Sequence, residues 1–446
     1  MINALRRCLS APETLARLQA LAAGAPASAP VSLHVPLGRG GTDWLSQLPS
    51  RAPYWYRARP DHDEYRLAIG HALHVSSAGP NRFAALDNAF AGFRRDWRHN
   101  GPALAFAGFA FDARNNAPLP NALLAVPAIL LESMDGQCSV TLSAPAGRIA
   151  EAAAEWPQWL AAQTVYRTPQ VHPGRPETMA ERAWIARVNA ALRDIKAGRV
   201  DKIVLARSRT IEADGTFLPA GVLSQLVAQQ PSSLIYAFSN GQQSFVGATP
   251  ERLVRLAGQH VDADALAGTA WPGSQGLSDA KNRHEQGLVV RAVCAALAPF
   301  CDTPPGAEPA HEHAAGHLLH LRSRVAAAVR PGTTLFDLVR ALHPTPAIGG
   351  FPVNAAQDWL AAHHEQRNGW YSGGLGILTP TGDGEFSVAL RSALLNGNTA
   401  ELQAGAGIVA GSDAAHELAE TAAKLGTLLA ALAPTADAEP GENLSA

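Results

Sequence analysis

The strands of this chain come in hairpin-like groups, and that pattern constrains its architecture more than any other feature. Between Val31 and about Ser143, short apolar runs are separated by turn residues and not by helices. Examples are Ala103-Leu-Ala-Phe-Ala-Gly-Phe-Ala-Phe111 and Ala122-Leu-Leu-Ala-Val-Pro-Ala-Ile-Leu-Leu131. A second group starts at Lys202 and runs through Ile235-Tyr-Ala-Phe238, Phe245-Val246 and Leu253-Val-Arg-Leu256. A third holds Gly374-Leu-Gly-Ile-Leu378, Phe386-Ser-Val-Ala-Leu-Arg391 and Ala400-Glu-Leu-Gln-Ala404. A Rossmann sheet needs strict strand–helix alternation. This pattern predicts an α+β protein with large antiparallel sheets covered by helices.

Helices fill the intervals. Residues 1–24 and 150–162 read as helical, and Thr178–Gly198 repeats Trp184, Val188, Ala191 and Ile195 at intervals of three and four. Two more span roughly 278–298 and 333–343. The last begins after Ser412-Asp413, both suitable N-caps, and ends near Leu432. Residues 1–170 are expected to supply the N-terminal part of the sheet core, 171–433 the chemistry, and 434–446 a polar, disordered tail, within one compact domain overall.

At 446 residues, 47% apolar and 17% charged, the chain can bury a sizeable core. Its formal charge of -2 offers no electrostatic reason to bind nucleic acid or an anionic membrane. No apolar run approaches the length of a membrane span. Cys8, Cys138, Cys294 and Cys301 form no CxxC pair, which suits a reducing compartment. The start is basic but lacks a continuous apolar segment, so a cytoplasmic location is expected. No obvious interaction segment is present, and a monomer is expected.

Four segments carry candidate chemistry. On a strand, Lys202 shares a face with Val204, Ala206 and Ser208. Both faces hold apolar residues, so the amine is poorly solvated and usable as a general base; the plainer alternative is an edge lysine snorkelling to water. Glu251 follows Pro250 in a turn or bulge, where a carboxyl in an apolar cleft can hold its proton and act as an acid. The plainer alternative pairs it with Arg252. Glu285 lies in line with Lys281, Leu288, Ala292 and Ala296, so it is expected to point inward and to need a partner, either a divalent cation or Lys281. In the last helix Leu418, Ala422, Leu425, Leu429 and Leu432 form the apolar stripe. By periodicity alone, Glu417, Glu420 and Lys424 are a solvated face with an i,i+4 ion pair.

Two further patterns are weak. Gly405-Ala-Gly-Ile-Val-Ala-Gly411 has the wrong spacing for a dinucleotide loop and no βαβ unit around it. His311, His313, His317 and His320 lack the companions of a zinc site.

Taken together, the segments resemble the chorismate-utilising enzymes, most closely the isochorismate synthases. The resemblance rests on Lys202-Ile-Val-Leu-Ala-Arg207, Phe245-Val-Gly-Ala-Thr-Pro-Glu251, Leu266-Ala-Gly-Thr269 and Lys281-Asn-Arg-His-Glu285. It continues through Leu319-His-Leu321, Leu342-His-Pro-Thr-Pro-Ala-Ile-Gly-Gly-Phe-Pro352, Gly369-Trp-Tyr-Ser-Gly373, Val388-Ala-Leu-Arg391 and Ala404-Gly-Ala-Gly-Ile-Val409, then the Glu/Lys helix. It runs from about residue 180 to 432 and is only vague over 1–170.

The resemblance implies two stacked antiparallel sheets wrapped by helices, a deep cleft, Mg2+ and the substrate chorismate. It implies that Lys202 activates water for attack at ring carbon 2 and that Glu251 protonates the hydroxyl leaving carbon 4. Glu285 and Glu420 are then the Mg2+ ligands, with Glu417 acting nearby. Arg391 and Tyr371 take the enolpyruvyl carboxylate; Gly268, Thr269, Gly405 and Lys424 line the ring and its carboxylate; His320 stands beside the leaving group. Lys202 favours water over ammonia as nucleophile. Ala347 stands where salicylate synthases tend to carry threonine, and this favours an isochorismate synthase over a salicylate synthase that goes on to eliminate pyruvate. A chorismate-binding protein without turnover is the reading that intact Lys202 and Glu251 oppose. The chain departs from the family pattern at Asn282, Leu418 and Asn368. The residues do not distinguish menaquinone, siderophore or salicylate biosynthesis as the destination of the product.

Overall fold

The computed structural model describes residues 2–41, 43–114, 118–160, 169–172, 178–270, 277, 280–316 and 318–433. The expected tail at 434–446, the first two residues of the helix expected at roughly 278–298, and His317 lie outside them.

The strands pair almost entirely antiparallel and are wrapped by helices. The two expected sheets are instead one network of ladders that forks at the strand Ala122–Met134. Along one edge this strand pairs with Glu64–Ser77 over its whole length. Along the other edge, its first residues pair with Ala105–Phe109 and its last with Gln137–Pro145. One arm therefore continues from Glu64–Ser77 through Tyr54–Arg59, Leu234–Ser239, Ser244–Thr249, Ser392–Asn396, Thr399–Val409 and Lys202–Glu212. The other runs from Ala105–Phe109 through Gly374–Leu378, Gly384–Val388, Arg252–Ala257, His260–Ala270 and Leu318–Ala328.

Apolar side chains from both arms meet in a shared cluster. Trp55 lies 5.7 Å from Phe106 and 5.4 Å from Trp370, ring to ring, and Phe238 stacks on Trp370 at 4.5 Å. The outer face of the first arm packs against the helices Pro219–Gln229 and Ala414–Leu432, and that of the second against Arg82–Asp96, Ala280–Leu297 and Leu335–Leu342.

Two chain segments step from one arm to the other without an intervening helix. The first leaves Ser244–Thr249 and enters Arg252–Ala257 by way of Pro250 and Glu251. The second leaves Gly384–Val388 and enters Ser392–Asn396 by way of Arg391, whose backbone is left-handed at φ 49°. Both corners present a charged side chain, Glu251 and Arg391, to one cavity.

Several expectations need correction. Residues 1–24 form two helices, Ile2–Ser10 and Pro12–Leu21, because Pro12 suits the first turn of a helix and ends the one before it. The helices Arg82–Asp96 and Pro219–Gln229 lie in stretches read as strands and turns. The strand expected at Ala400–Ala404 runs further, over Thr399–Val409, and takes in Gly405 and Gly407.

Candidate active site

The strand Lys202–Glu212 pairs with Thr399–Val409 so that Val204 faces Gly407 and Ala206 faces Gly405. Residues directly opposite across a ladder share a face. The two glycines therefore leave that face bare beside Lys202, Val204 and Ala206. The space is occupied: a methyl added at Gly407 would lie 2.6 Å from Glu285 Oε1 and 2.7 Å from Lys202 Cε. Lys202 is fully buried and donates to Glu285 Oε1 at 2.7 Å. The snorkelling alternative is thereby excluded.

Glu285 arrives from the helix Ala280–Leu297, which packs on the second arm, and Glu417 and Glu420 from the helix Ala414–Leu432 on the first. That last helix starts as expected, with Asp413 accepting from the N–H groups of Ala415 and His416. Its inward face joins Leu425 and Leu432 of the expected stripe to residues that periodicity assigned to solvent. Glu417, Glu420, Thr421, Leu425 and Leu428 are buried, while Ala422 is exposed. Polar partners make this burial tolerable: Lys281 donates to Glu417 at 2.6 Å, Lys424 to Glu420 at 2.7 Å and to Gly405 O at 3.0 Å, and the Thr269 hydroxyl to Glu420 at 3.2 Å.

The result is a buried triplet of carboxylates, each held by one lysine. Burial alone would raise the Glu420 carboxyl, but Lys424, Lys281 and the Thr269 hydroxyl outweigh it and hold it below its ordinary value. Burial, and then the neighbouring charge of Glu420, push Glu417 up. Glu285 and Glu420 line one cavity. Their hard oxygen donors are the kind a divalent cation takes. Among the described residues no three metal-binding side chains already converge on a point.

Glu251 lines the same cavity from its corner between the arms. It is 3% exposed, and its Oε1 has no hydrogen-bond partner. Burial, reinforced by the negative charge of Asp264, pushes its pKa up to about 8 against the opposing charges of Lys202 and Lys424. It is therefore protonated at neutral pH, the state an acid needs. Arg252, its expected partner, lies 3.6 Å from Glu385 instead.

The polar end of the cavity is equally ordered. His320 contacts Gly268 O through Nδ1 at 2.8 Å, and Arg391 Nη2 lies 2.6 Å from His320 Nε2. These partners assign the proton to Nδ1 and make Nε2 the acceptor. Burial, then the Arg391 charge, keep the ring neutral. Arg391 also donates to Ala315 O at 3.1 Å, and burial brings its pKa down to about 10.

The cavity thus gathers Glu251, Gly268, Thr269, Glu285, His320, Ala347, Tyr371, Arg391, Gly405, Glu420 and Lys424. Lys202 and Glu417 are not on its wall and reach it through neighbours. Sequence reasoning missed Gly407, Arg367 and Gln403, which also line it. Gly407 had a visible signal, since it sits two residues from Gly405 on the same strand face. Arg367 is buried and donates to Ile348 O at 2.7 Å, to Ser372 Oγ at 2.7 Å and to Val204 O at 2.9 Å, bracing three lining segments.

A forked antiparallel sheet wrapped by helices, with a cavity of buried, lysine-paired carboxylates, defines an α+β protein with an enclosed charged site. The chain belongs to the chorismate-binding enzymes: residues 40–433 match the family model "Chorismate binding enzyme", which takes in most of the first half as well as the motif-bearing second half. It is 37% identical over 269 residues to a salicylate biosynthesis isochorismate synthase of Pseudomonas aeruginosa, covering 58% of this chain and 56% of that protein. It is 34% identical over 259 residues to the isochorismate synthase MenF of Bacillus subtilis, covering 56% of this chain and 55% of that one. Each alignment thus spans little more than half of the relative. The fold matches MenF, the menaquinone-specific isochorismate synthase of Escherichia coli, with a TM-score of 0.80 and 24% identity over 96% of this chain and all of that one. It also matches anthranilate synthase component I of Streptococcus pneumoniae at a TM-score of 0.68 and 20% identity, over 82% of this chain and 92% of that one. No helix among the described residues is long and apolar enough to cross a membrane.

Proposed function

We propose that this protein is an Mg2+-dependent isochorismate synthase that adds water at carbon 2 of chorismate and releases the hydroxyl of carbon 4. The observation that carries the reading is the pairing of a protonated Glu251 with a Lys202–Glu285 unit around one cavity. Lys202, set just behind Glu285 and Gly407 at the cavity wall, removes a proton from the attacking water, the carbon 2–oxygen bond forms, and the two ring double bonds shift by one place. Glu251 then gives its proton to the departing hydroxyl as the carbon 4–oxygen bond breaks. One water enters and one leaves, so substrate and product are isomers.

The donor set suits Mg2+. Glu285 and Glu420 offer carboxylate oxygens to one cavity, and Glu417 lies beside Glu420. When bound, the ion supplies positive charge for the ring carboxylate, which these glutamates would otherwise repel. Arg391 and the Tyr371 hydroxyl suit the enolpyruvyl carboxylate. Neutral His320 fixes the Arg391 guanidinium, and the small side chain of Ala347 leaves room for water.

The test is incubation with chorismate and Mg2+ followed by chromatography. Isochorismate, abolished by a chelator and restored by Mg2+, is expected. Salicylate with stoichiometric pyruvate would assign a salicylate synthase instead. Binding without any product would assign a silent chorismate binder.

A further inference from the structure

Glu251 borders two cavities. Besides the one described above, it and Pro250 line a wider cleft of about 270 Å³, against about 90 Å³ for the first. The cleft is walled by Asp264, His313, Arg322 and Arg252, with the exposed Asp61 and His62 also contributing to its lining. Asp264 is buried, accepting from Arg322 Nη2 at 2.9 Å and from the Arg252 N–H at 3.3 Å. His313 is half-buried and stands directly across its ladder from His320. The two histidines therefore share a face, with His320 lining the first cavity and His313 the second.

The chemistry proposed above leaves a task that none of its residues performs. Each conversion leaves Glu251 one proton short and Lys202 with one too many. With a substrate or product ring in the first cavity, solvent reaches Glu251 poorly from that side. The second cleft shares only Pro250 and Glu251 with the first.

We propose that the second cleft returns a proton from solvent to Glu251 between turnovers, with His313 as the carrier at its wall and Asp264 as a positioning residue that anchors Arg322 and the backbone of Arg252 beside it. The proposal rests on the isochorismate synthase reading. The proton entering from solvent or a buffer acid balances the one that Lys202 releases, so none is consumed. Burial, and then the Arg322 charge, lower the His313 pKa, so the ring is neutral between transfers and free to take up the next proton. The charges that act on Glu251 are those of Asp264, Lys202 and Lys424, and that of Asp264 acts on His313 as well. The others in the cleft are Arg59, Arg252, Arg322, Asp61, His62 and His313.

The test uses the full chain carrying His313→Phe or His313→Gln, the latter preserving hydrogen bonding without a titrating ring, in rapid mixing with chorismate at low buffer concentration. The resting enzyme already holds the Glu251 proton. The expected result is one equivalent of isochorismate at the wild-type rate, then a steady state about tenfold slower. KM should be unchanged, and the steady rate should recover as imidazole is added. A purely structural role would slow the first and later turnovers alike and show no imidazole response, which overturns the proposal. So would variants with wild-type steady rates at low buffer. Wild-type protein that makes no isochorismate would sink the underlying reading; an active wild type with burst-free, buffer-insensitive variants would sink only this one.

Discussion

Gly407→Ala isolates the contact on which the site depends. The added methyl would sit 2.6 Å from Glu285 Oε1, 2.7 Å from Lys202 Cε and 3.2 Å from Lys202 Nζ. Ordinary contact begins near 3.4 Å, so the carboxylate and the lysine stem must each retreat by about 0.7–0.8 Å. Lys202 has little room to do so, because it is fully buried and its strand is paired on both sides, to Thr399–Val409 and to Gly350–Phe351. Overpacking of this kind costs about 1–3 kcal/mol of stability, a drop of a few degrees in Tm. Displacement of a reacting group by nearly 1 Å lowers turnover by about 100-fold. The assay is isochorismate formation by chromatography beside a calorimetric melt. Gly405→Ala is the control, since its methyl would meet Leu205 O at 2.8 Å and Tyr371 Oη at 3.0 Å and should act on KM more than on kcat. If Gly407→Ala kept activity within about twofold and an unchanged Tm, the close packing of Lys202, Glu285 and Gly407 would have no bearing on catalysis, and the argument would fail.

Glu251→Gln should lower kcat by about 10²–10⁴, and wild-type activity should fall as pH rises through about 8, where Glu251 loses its proton. The same group sets a stability trend. Its folded pKa lies above the ordinary 4.5, so the stability it contributes is full below that pH and is lost as pH rises toward about 8. Denaturant titrations of wild type and Glu251→Gln should diverge across that window. Glu385 behaves oppositely. Burial would raise it, but Arg57, Arg59 and Arg252 hold it down to about 2, so its contribution is present above 4.5 and lost as pH falls toward about 2. Glu385→Gln, which strands the buried Arg57, should cost about 3–5 kcal/mol near neutrality, measured by urea unfolding. Arg391→Lys should raise KM for chorismate at least about tenfold, because one ammonium cannot replace a fork that holds both His320 and a carboxylate; an unchanged KM would remove Arg391 from the substrate site.

Much of this was legible in the residues because local pattern and burial agreed. The strand at Lys202, the turn at Glu251 and the N-cap at Asp413 follow from alternation, proline and capping, each a short-range rule. The last helix shows where such rules stop. Glu417, Glu420 and Lys424 look like a water-facing stripe, since periodicity treats charge as a mark of solvent. They face inward because Lys281 and Thr269, more than a hundred residues away in the chain, supply their partners. The helices Arg82–Asp96 and Pro219–Gln229 were hidden for a related reason: their apolar residues sit among turn formers and resemble strand ends. The fork at Ala122–Met134 has no local signature, as three different strands must be in place before it exists.

That fork has a temporal consequence. Ala105–Phe109 takes its second neighbour from Gly374–Leu378, so its edge stays bare until nearly the whole chain has been synthesised. Tyr54–Arg59 waits likewise for Leu234–Ser239. The nascent amino-terminal portion is therefore a sticky, half-finished template on the ribosome. Expressing residues 1–170 alone should yield aggregates, and trimming them away should leave the remainder without a partner for its central strands.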